Sequence, residues 1–469
     1  MKIVRTSTRR AFLGSAGLAA GLTVIPWRPV WAQNKSAATS YAANEKLNIA
    51  GIGVGGRGAA HVQTSLRENL VAICDVVEGT LEGCRRQIEK EQPGRPLPKI
   101  FFDYRKLLEE MPAGIDAVFV ATPDHQHAPA SMMAMKLGKH VYCEKPLTHN
   151  IAEARAMTLA ARQHKLATQM GNQARASDGW RVLCEMVWAG MIGNVSDLHV
   201  WTDRPGIAKR FWWPQGGPRP AGADPVPKGL HWDLWLGSAP ERPYLDTYRE
   251  GKFQGKRVYQ PFVWRGWWDF GTGALGDIGC HAMSGPFSAL KIEHAAAVEL
   301  LKDSQDTTSE MFPSASIVRW EIPARGAMPA CKIFWYDGGL YPPREVGELA
   351  AAKQYPDNGS ILVGDRGKIS FYDYKPRLIP AEKMKGFQLP PPLIARCASD
   401  HFGEWVTACK GGRPPASNFD HAGPLAELVL LGNLAIRAGA GKRVEWDGPN
   451  MKCTNLPELN QHVGREYRI

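Results

Sequence analysis

A chain of 469 residues exceeds the roughly 250–300 at which a single hydrophobic core stops growing, so two folded domains are expected and one small module is excluded. Hydrophobic residues at 44% and charged residues at 22% are ordinary globular values and exclude a disordered, collagen-like or coiled-coil chain. The formal charge is +11, but Lys2, Arg5, Arg9, Arg10 and Arg28 stand in a first stretch of 32 residues without an acid; the remaining 52 basic against 46 acidic side chains are too diffuse a surplus to argue for nucleic acid.

Thr8-Arg9-Arg10-Ala11-Phe12-Leu13 follows a basic start and precedes an apolar stretch, Ala11 to Ile25, that falls short of the roughly 20 residues needed to span a bilayer. The pattern resembles a twin-arginine export signal over residues 1–32, with Val30-Trp31-Ala32 as the cleavage site; an ordinary N-terminal helix with a chance arginine pair is the other reading. No cysteine follows the apolar run to carry a lipid anchor, and no later segment reaches 18 uninterrupted apolar residues, so no membrane association is expected after signal removal. The resemblance implies a periplasmic or otherwise exported protein that folds in the cytoplasm before transport, which hints at a bound cofactor. Nine cysteines, odd in number and without a C-x-x-C pair, make a disulfide framework improbable, and folding in a reducing compartment is compatible with that.

A polar arm, residues 33–45, leads into alternation. Apolar runs at Leu47–Ile52, Leu70–Cys74, Ala117–Ala121, His140–Cys143 and Leu166–Met170 are separated by helical patterns at Gly58–Leu66, Val77–Glu91, Tyr104–Glu110, His127–Leu137 and Ile151–His164. Strands alternating with helices predict parallel βαβ units, here a domain over residues 46–170. Beyond Gly171 a helix is expected at Asp178–Ala189, then a Trp-, Pro- and Gly-rich stretch through Gly276, then strands at Ala297–Leu301, Ser316–Ile322, Cys331–Tyr336, Ser360–Val363 and Lys368–Tyr372. Strands in succession predict a mostly antiparallel sheet in a second domain, residues 171–469.

Gly53-Val54-Gly55-Gly56-Arg57-Gly58 follows the first strand and opens a helix, and Asp75 closes the second strand. This is the dinucleotide fingerprint: glycines for a tight turn, backbone approach to the pyrophosphate and close helix packing, with the helix N-terminus facing the phosphates. Asp75 can accept from both ribose hydroxyls, whereas a 2′-phosphate would meet like charge there, so NAD is preferred over NADP. N-capping the next helix is a compatible second role for it.

Three further motifs align with this fingerprint: Thr122-Pro123-Asp124-His125-Gln126-His127, Cys143-Glu144-Lys145-Pro146, and Gly276-Asp277-Ile278-Gly279-Cys280-His281. Together they resemble the glucose–fructose oxidoreductase/inositol dehydrogenase/MocA family of sugar and cyclitol dehydrogenases, the E-K-P element being the most specific part. The resemblance implies an N-terminal Rossmann domain followed by an α/β domain with a large, mostly antiparallel open sheet that often forms the subunit interface, hence a homo-oligomer. It also implies that Lys145, Asp277 and His281 surround the reacting carbinol, while Gly53, Gly55, Gly56, Arg57, Gly58, Asp75, Thr122, Pro123, His127, Glu144 and Lys145 line the cofactor. The residues themselves agree. Lys145 ends a strand at the carboxyl edge of a parallel sheet, the edge where ligands bind in open α/β folds. Asp277 and His281 at i, i+4 share one helical face, so the carboxylate can orient an imidazole that takes the hydroxyl proton. A satisfied buried histidine, or half of a metal site, is the other reading of His281; no third ligand at recognisable spacing supports metal. His127 lies near the nicotinamide ribose or packs on its neighbour, and Glu144 is given no catalytic role.

Ten of the 16 tryptophans fall between Trp180 and Trp268. Aromatic faces suit the C–H faces of sugar rings, and Trp267-Trp268-Asp269 just before Asp277 are the candidate substrate contacts, although any single Trp more often packs the insertion's own core. Arg204, Arg210 and Arg265 are candidates for a carboxylated sugar or for plain salt bridges. The expectation is an NAD-dependent oxidoreductase acting on a CHOH group of a sugar, cyclitol or glycoside, with its cofactor retained. The resemblance also implies a rival, since a branch of the same family consists of NAD-dependent glycosidases working by transient oxidation and elimination; it ranks second because that branch tends to lack the Lys of E-K-P and the D-x-x-x-H pair, and a non-catalytic sugar-binding protein ranks third.

Overall fold

A computed structural model describes residues 45–206 and 210–468. The export signal and all but the last residue of the arm therefore lie outside the described residues. The first domain is built from β1 (Asn48–Ile52), α1 (Arg57–Ser65), β2 (Asn69–Cys74), α2 (Glu78–Glu91), β3 (Lys99–Phe101), α3 (Tyr104–Glu110), β4 (Ala117–Val120), α4 (Asp124–Lys136), β5 (His140–Cys143), α5 (Ile151–Gln163) and β6 (Thr168–Met170). Its six strands are ordered β3-β2-β1-β4-β5-β6 and pair in parallel throughout. β4 and β5 are buried at every position, as continuous apolar strands covered by helices on both faces must be.

The strand order reverses direction between β1 and β4, which is where open α/β sheets bind ligands. Register fixes what gathers there. Ile52 pairs with both Cys74 and Val120, and Val120 pairs with Cys143. The residues that follow, Gly53, Asp75, Ala121 and Glu144, therefore emerge in one row at the carboxyl edge.

The second domain contributes α6 (Gly179–Trp188), β7 (Val195–Thr202), α7 (Trp232–Leu236), α8 (Gly273–Ala282), α9 (Ser284–Ala289), β8 (Ala297–Asp303), β9 (Ser316–Ile322), β10 (Cys331–Tyr336), β11 (Asn358–Gly364), β12 (Gly367–Tyr372), β13 (Lys375–Ile379), α10 (His401–Cys409), α11 (Phe419–Ala438), β14 (Arg443–Asp447) and β15 (Lys452–Cys453). Its nine strands run β13-β12-β11-β7-β10-β9-β8-β14-β15, antiparallel except for the β7–β10 pair. β9 alternates buried and half-buried residues along its length, the mark of a sheet with one covered face.

Helix α11 packs on α5 of the first domain and on α8, β8 and β9 of the second, so one long apolar helix fixes α8 at the junction. Chain order and spatial order differ at α10, whose Phe402, Trp405 and Cys409 join the core formed by Leu47, Ile49, Phe119 and Tyr142. The first core is thus completed by residues more than 200 positions beyond the sequence boundary at Met170. The Trp-rich stretch forms its own core from Trp232, Trp235, Tyr244, Tyr259, Trp267 and Phe270. All nine cysteines are free. Among the described residues no helix is long and apolar enough to cross a membrane, and no group of three His, Cys, Asp or Glu is placed to hold a metal ion.

Candidate functional site

At the end of β1 the Gly53 amide donates to the Cys74 carbonyl at 2.8 Å, turning the chain into the glycine loop. Two positions show why glycine is needed. A Cβ on Gly58 would stand 2.0 Å from the Gly53 carbonyl oxygen, so any side chain would push α1 off the strand. Gly56 has φ +51, and a Cβ there would meet nothing within 4 Å: it would project into open space above the helix N-terminus, where backbone donors and the positive dipole end favour phosphate. The cradle fits a dinucleotide pyrophosphate.

Asp75 closes the cradle. Its Oδ2 accepts from the amides of Val54 at 3.0 Å and Gly55 at 3.3 Å, and its Oδ1 from Val77 at 3.0 Å. These use three of the roughly four acceptor positions of a carboxylate. Asp75 therefore orders the loop and the start of α2 as well as facing the cleft, and burial raises its pKa from 3.8 against the pull of those amides.

Glu144 is buried and accepts from His61 Nε2 at 2.7 Å, Gln173 Nε2 at 2.8 Å, Arg57 Nε at 3.4 Å and the Lys145 amide at 3.2 Å. Burial opposes its charge most strongly, yet the His61 hydrogen bond and the Arg57 and Lys145 charges hold it at about 2. It ties α1 of the glycine loop to the E-K-P turn. His127 sets its two ring nitrogens against backbone carbonyls, Nδ1 on Pro146 at 2.7 Å and Nε2 on Thr122 at 2.8 Å, so it staples the T-P-D turn to the E-K-P turn. Thr122 and Pro123 line the cleft at that staple.

At the far end of the same cleft, Lys145 Nζ donates to Asp277 Oδ1 at 2.6 Å and to the Asp277 carbonyl at 3.1 Å, and Arg265 Nε donates to the same Oδ1 at 2.8 Å. Both cations retain 15% side-chain exposure while Asp277 retains 8%. Burial opposes the Asp277 charge, but the two cations hold its pKa well below 3.8. One turn along α8, His281 lines the cleft, and burial, with the Lys145 charge, lowers its pKa to about 4. It is therefore neutral near pH 7 and free to take a proton. Asp124 is buried beside this cluster with Thr272 Oγ1 donating to its Oδ2 at 2.7 Å; burial pushes it up to about 7 against the pull of Arg265.

The cleft holds about 1430 Å³ and runs from the glycine loop and Asp75 to Lys145, Arg265 and His281. Trp235, Phe262 and Trp264 are among its aromatic lining residues. The Arg265 guanidinium lies 4.1 Å from the Phe262 ring centre and 4.2 Å from that of Trp264. Phe262 is 43% exposed and sits at φ +72, a strained conformation for a bulky residue and one that clusters at functional sites.

Several sequence expectations need correcting. Asp277 does not orient His281: its carboxylate is engaged by Lys145 and Arg265, and His281 Nδ1 is buried without a partner among the described residues. Both His127 nitrogens face backbone carbonyls, while the residue also lines the cleft. Trp267 is fully buried in the insertion core, its Nε1 donating to the Val258 carbonyl at 2.7 Å. Trp268 and Asp269 line a different, smaller cavity. Of the three candidate arginines only Arg265 reaches the cleft; Arg204 and Arg210 stack on Trp212, at 3.7 and 3.8 Å. Asp124 stands inside the T-P-D motif but has no role assigned from the sequence, and His61, Gln173 and Phe262 carry no motif signal of their own.

The sequence profile described as an oxidoreductase family, NAD-binding Rossmann fold, matches residues 47–172. The profile for that family's C-terminal alpha/beta domain matches residues 181–316, so the two cover more than half of the chain. The chain is 31% identical over 159 residues to an alpha-N-acetylgalactosaminidase of Shewanella oneidensis, 32% of this chain and 34% of that protein. It is 30% identical over 203 residues to a glycosyl hydrolase family 109 protein of Saccharopolyspora erythraea, 41% of this chain and 43% of that one. The chain thus spans 34% and 43% of the length of these two curated relatives. Among solved structures, an inositol dehydrogenase homolog from Azotobacter vinelandii, complexed with NADH and myo-inositol, aligns over 86% of this chain and 98% of its own with TM-score 0.52 at 16% identity. An aldose-aldose oxidoreductase from Caulobacter crescentus aligns over 86% and 100% with TM-score 0.53 at 17% identity. At such identities these two show a shared fold.

Proposed function

The chain belongs to the glucose–fructose oxidoreductase/inositol dehydrogenase/MocA oxidoreductase family, with its NAD-binding Rossmann domain, and from that premise we propose that it transfers hydride between NAD and a CHOH carbon of a sugar, cyclitol or glycoside. The observation that carries the reading is that one cleft joins the glycine loop and Asp75 to the Lys145–Asp277–Arg265 cluster and His281.

NAD, when bound, supplies the acceptor and donor of hydride. The glycine loop and α1 would hold its phosphates, Asp75 its adenosine ribose, and the Glu144 network keeps the loop and the E-K-P turn in fixed relation. Lys145, anchored by Asp277, presents its ammonium to the oxygen of the reacting carbinol. His281, neutral near pH 7, takes the hydroxyl proton on oxidation and returns it on reduction. Phe262 and Trp264 offer faces to the C–H side of a ring, and Arg265 offers a donor to a polar substituent.

The curated relatives favour a second reading, a glycosidase that oxidises a ring carbon transiently, eliminates the aglycone and returns the hydride. The same cluster serves both, since each begins by oxidising a CHOH group. The Arg9-Arg10 signal supports action outside the cytoplasm. There no free NAD pool would replace a lost cofactor, so NAD stays bound between turnovers, with an affinity tighter than about micromolar, and is reset by a second sugar, by epimerisation or by the returning hydride. The test is to incubate the dialysed protein with a panel of sugars, cyclitols and 4-nitrophenyl glycosides. Lasting nicotinamide reduction identifies a dehydrogenase, aglycone release without lasting reduction the glycosidase. Protein that is empty after dialysis and works only with added free NAD overturns the retained cofactor, and no reaction of either kind overturns the reading itself.

A further inference from the structure

A second cavity, of about 320 Å³, lies between the turn after Lys145, helix α11 and residues 461–466, at the lower end of the roughly 300–1,000 Å³ of ligand pockets. It adjoins the large cleft, sharing Asn150, Gly464 and Arg465 with it, yet has its own chemistry. Asn150 and Asn433 are 7% and 9% exposed, and each is half satisfied. Asn150 Oδ1 caps α5 by accepting from the Glu153 amide at 3.0 Å, and Asn433 Nδ2 donates to the Thr272 carbonyl at 3.1 Å. That leaves Asn150 Nδ2 and Asn433 Oδ1 buried without partners among the described residues, a donor and an acceptor in the walls of one cavity beside the likewise unpartnered ring nitrogens of His149. Buried polar groups are ordinarily paired, and an unpaired one asks for an explanation.

The cavity also holds a cation that makes no ion pair among the described residues. The Arg437 guanidinium lies 3.9 Å from the centre of the Trp268 ring, and no carboxylate among the described residues pairs with it. The acid that acts on it, Asp269, is engaged by Arg242. Burial lowers the Arg437 pKa to about 10, which leaves it charged near neutrality. A stacked guanidinium presents its edge N–H groups for two-point recognition of a planar anion. Asp269 and Glu466 also line the cavity, and their charge disfavours a dianion such as phosphate.

We infer that this cavity is a binding site for a hydroxylated carboxylic acid of about monosaccharide size, with Arg437 taking the carboxylate and Asn150 Nδ2 and Asn433 Oδ1 taking hydroxyls. A single negative charge suits a guanidinium that has no ion pair among the described residues. The free amide oxygen needs a hydroxyl donor, which simple acids such as acetate lack. The site is separate from the Lys145 cluster, so it stands whether or not the oxidoreductase reading does.

The test is calorimetric titration of the full chain with D-gluconate and D-galacturonate, against sorbitol and acetate as controls. At least one of the two acids is expected to bind at least tenfold more tightly than either control. That binding should weaken at least tenfold in Arg437→Gln while Lys145→Ala leaves it unchanged. Asn433→Asp, nearly isosteric, adds a charge facing the ligand and should weaken binding to a similar extent, which serves if Arg437→Gln does not fold. Absence of binding by both acids at millimolar concentration overturns the inference. So does binding that survives both cavity variants and is lost in Lys145→Ala, since the ligand would then sit in the large cleft.

Discussion

Asp277→Asn removes one negative charge and leaves Lys145 Nζ and Arg265 Nε, which meet on Asp277 Oδ1 at 2.6 and 2.8 Å, around a neutral amide. Breaking a buried ion pair from one side costs about 3–5 kcal/mol. Both cations keep 15% exposure, and water shares the charge left behind, so a destabilisation of about 2–4 kcal/mol is expected. The sign with pH follows from the direction of the shift. The folded pKa of Asp277 is lowered from 3.8, so its contribution is fully present above about pH 4 and is lost only on further acidification. The gap between wild type and variant should therefore be constant from pH 5 to 8. Lys145 keeps its 3.1 Å bond to the Asp277 carbonyl, so the ammonium stays near but loses its aim, and turnover should fall about 100-fold, or about 2.7 kcal/mol. The assay pairs thermal unfolding at several pH values with single-turnover reduction of bound NAD. Turnover within threefold of wild type, with an unchanged midpoint, would refute the anchoring role.

Lys145→Ala and His281→Ala should each lower turnover at least 100-fold with the NAD content of the purified protein unchanged, as proton-handling groups do; loss of NAD with intact chemistry on reconstitution would make them cofactor-positioning residues. Because His281 is lowered to about 4, the acid limb of the turnover profile should fall near pH 4, and a limb near 6.5 that disappears in His281→Ala would contradict its burial. The unfolded state binds the His281 proton more tightly than the folded state does, so this group costs stability below pH 4, and the cost fades as pH rises from 4 to 6.5. Asp75→Ser combined with Val76→Arg should move the NAD/NADP affinity ratio toward NADP, and should also weaken both nucleotides because three backbone amides lose their acceptor; an unchanged ratio sinks the selectivity role. Gly58→Ala forces a Cβ to 2.0 Å from the Gly53 carbonyl and should cost about 1–3 kcal/mol and at least tenfold in NAD affinity by equilibrium titration, whereas an unaffected variant would mean the loop need not be so tight.

The first domain was legible in the sequence because buried parallel strands leave uninterrupted apolar runs: β4 and β5 were located to within a residue. β3, three residues long and half-buried at two of them, leaves no such run. β7 starts amid polar residues, Val-Ser-Asp, and leaves none either. The packing of α10 against the first sheet is a tertiary fact with no local signature. At the site, motif spacing identified Lys145, Asp277 and His281, but an i, i+4 pair says only that two side chains share a face. It is Arg265, from a 3-10 turn twelve residues earlier, that takes the carboxylate the histidine was expected to share. Trp267 and Trp268 follow Arg265 closely in sequence yet face the insertion core and the second cavity, because direction out of an irregular segment is set by packing rather than by period.

The central claim is that this cleft moves a hydride between a sugar carbon and bound NAD, and both the dehydrogenase and the glycosidase readings require it. The most direct measurement uses a substrate active in the panel, deuterated at the carbon that is oxidised, in a single turnover that is quenched before the cofactor is analysed. Deuterium recovered on nicotinamide C4 with wild-type protein, and absent with Lys145→Ala protein that still carries its dinucleotide, is the predicted result. Product formed with no deuterium on the dinucleotide at any time before completion would contradict it.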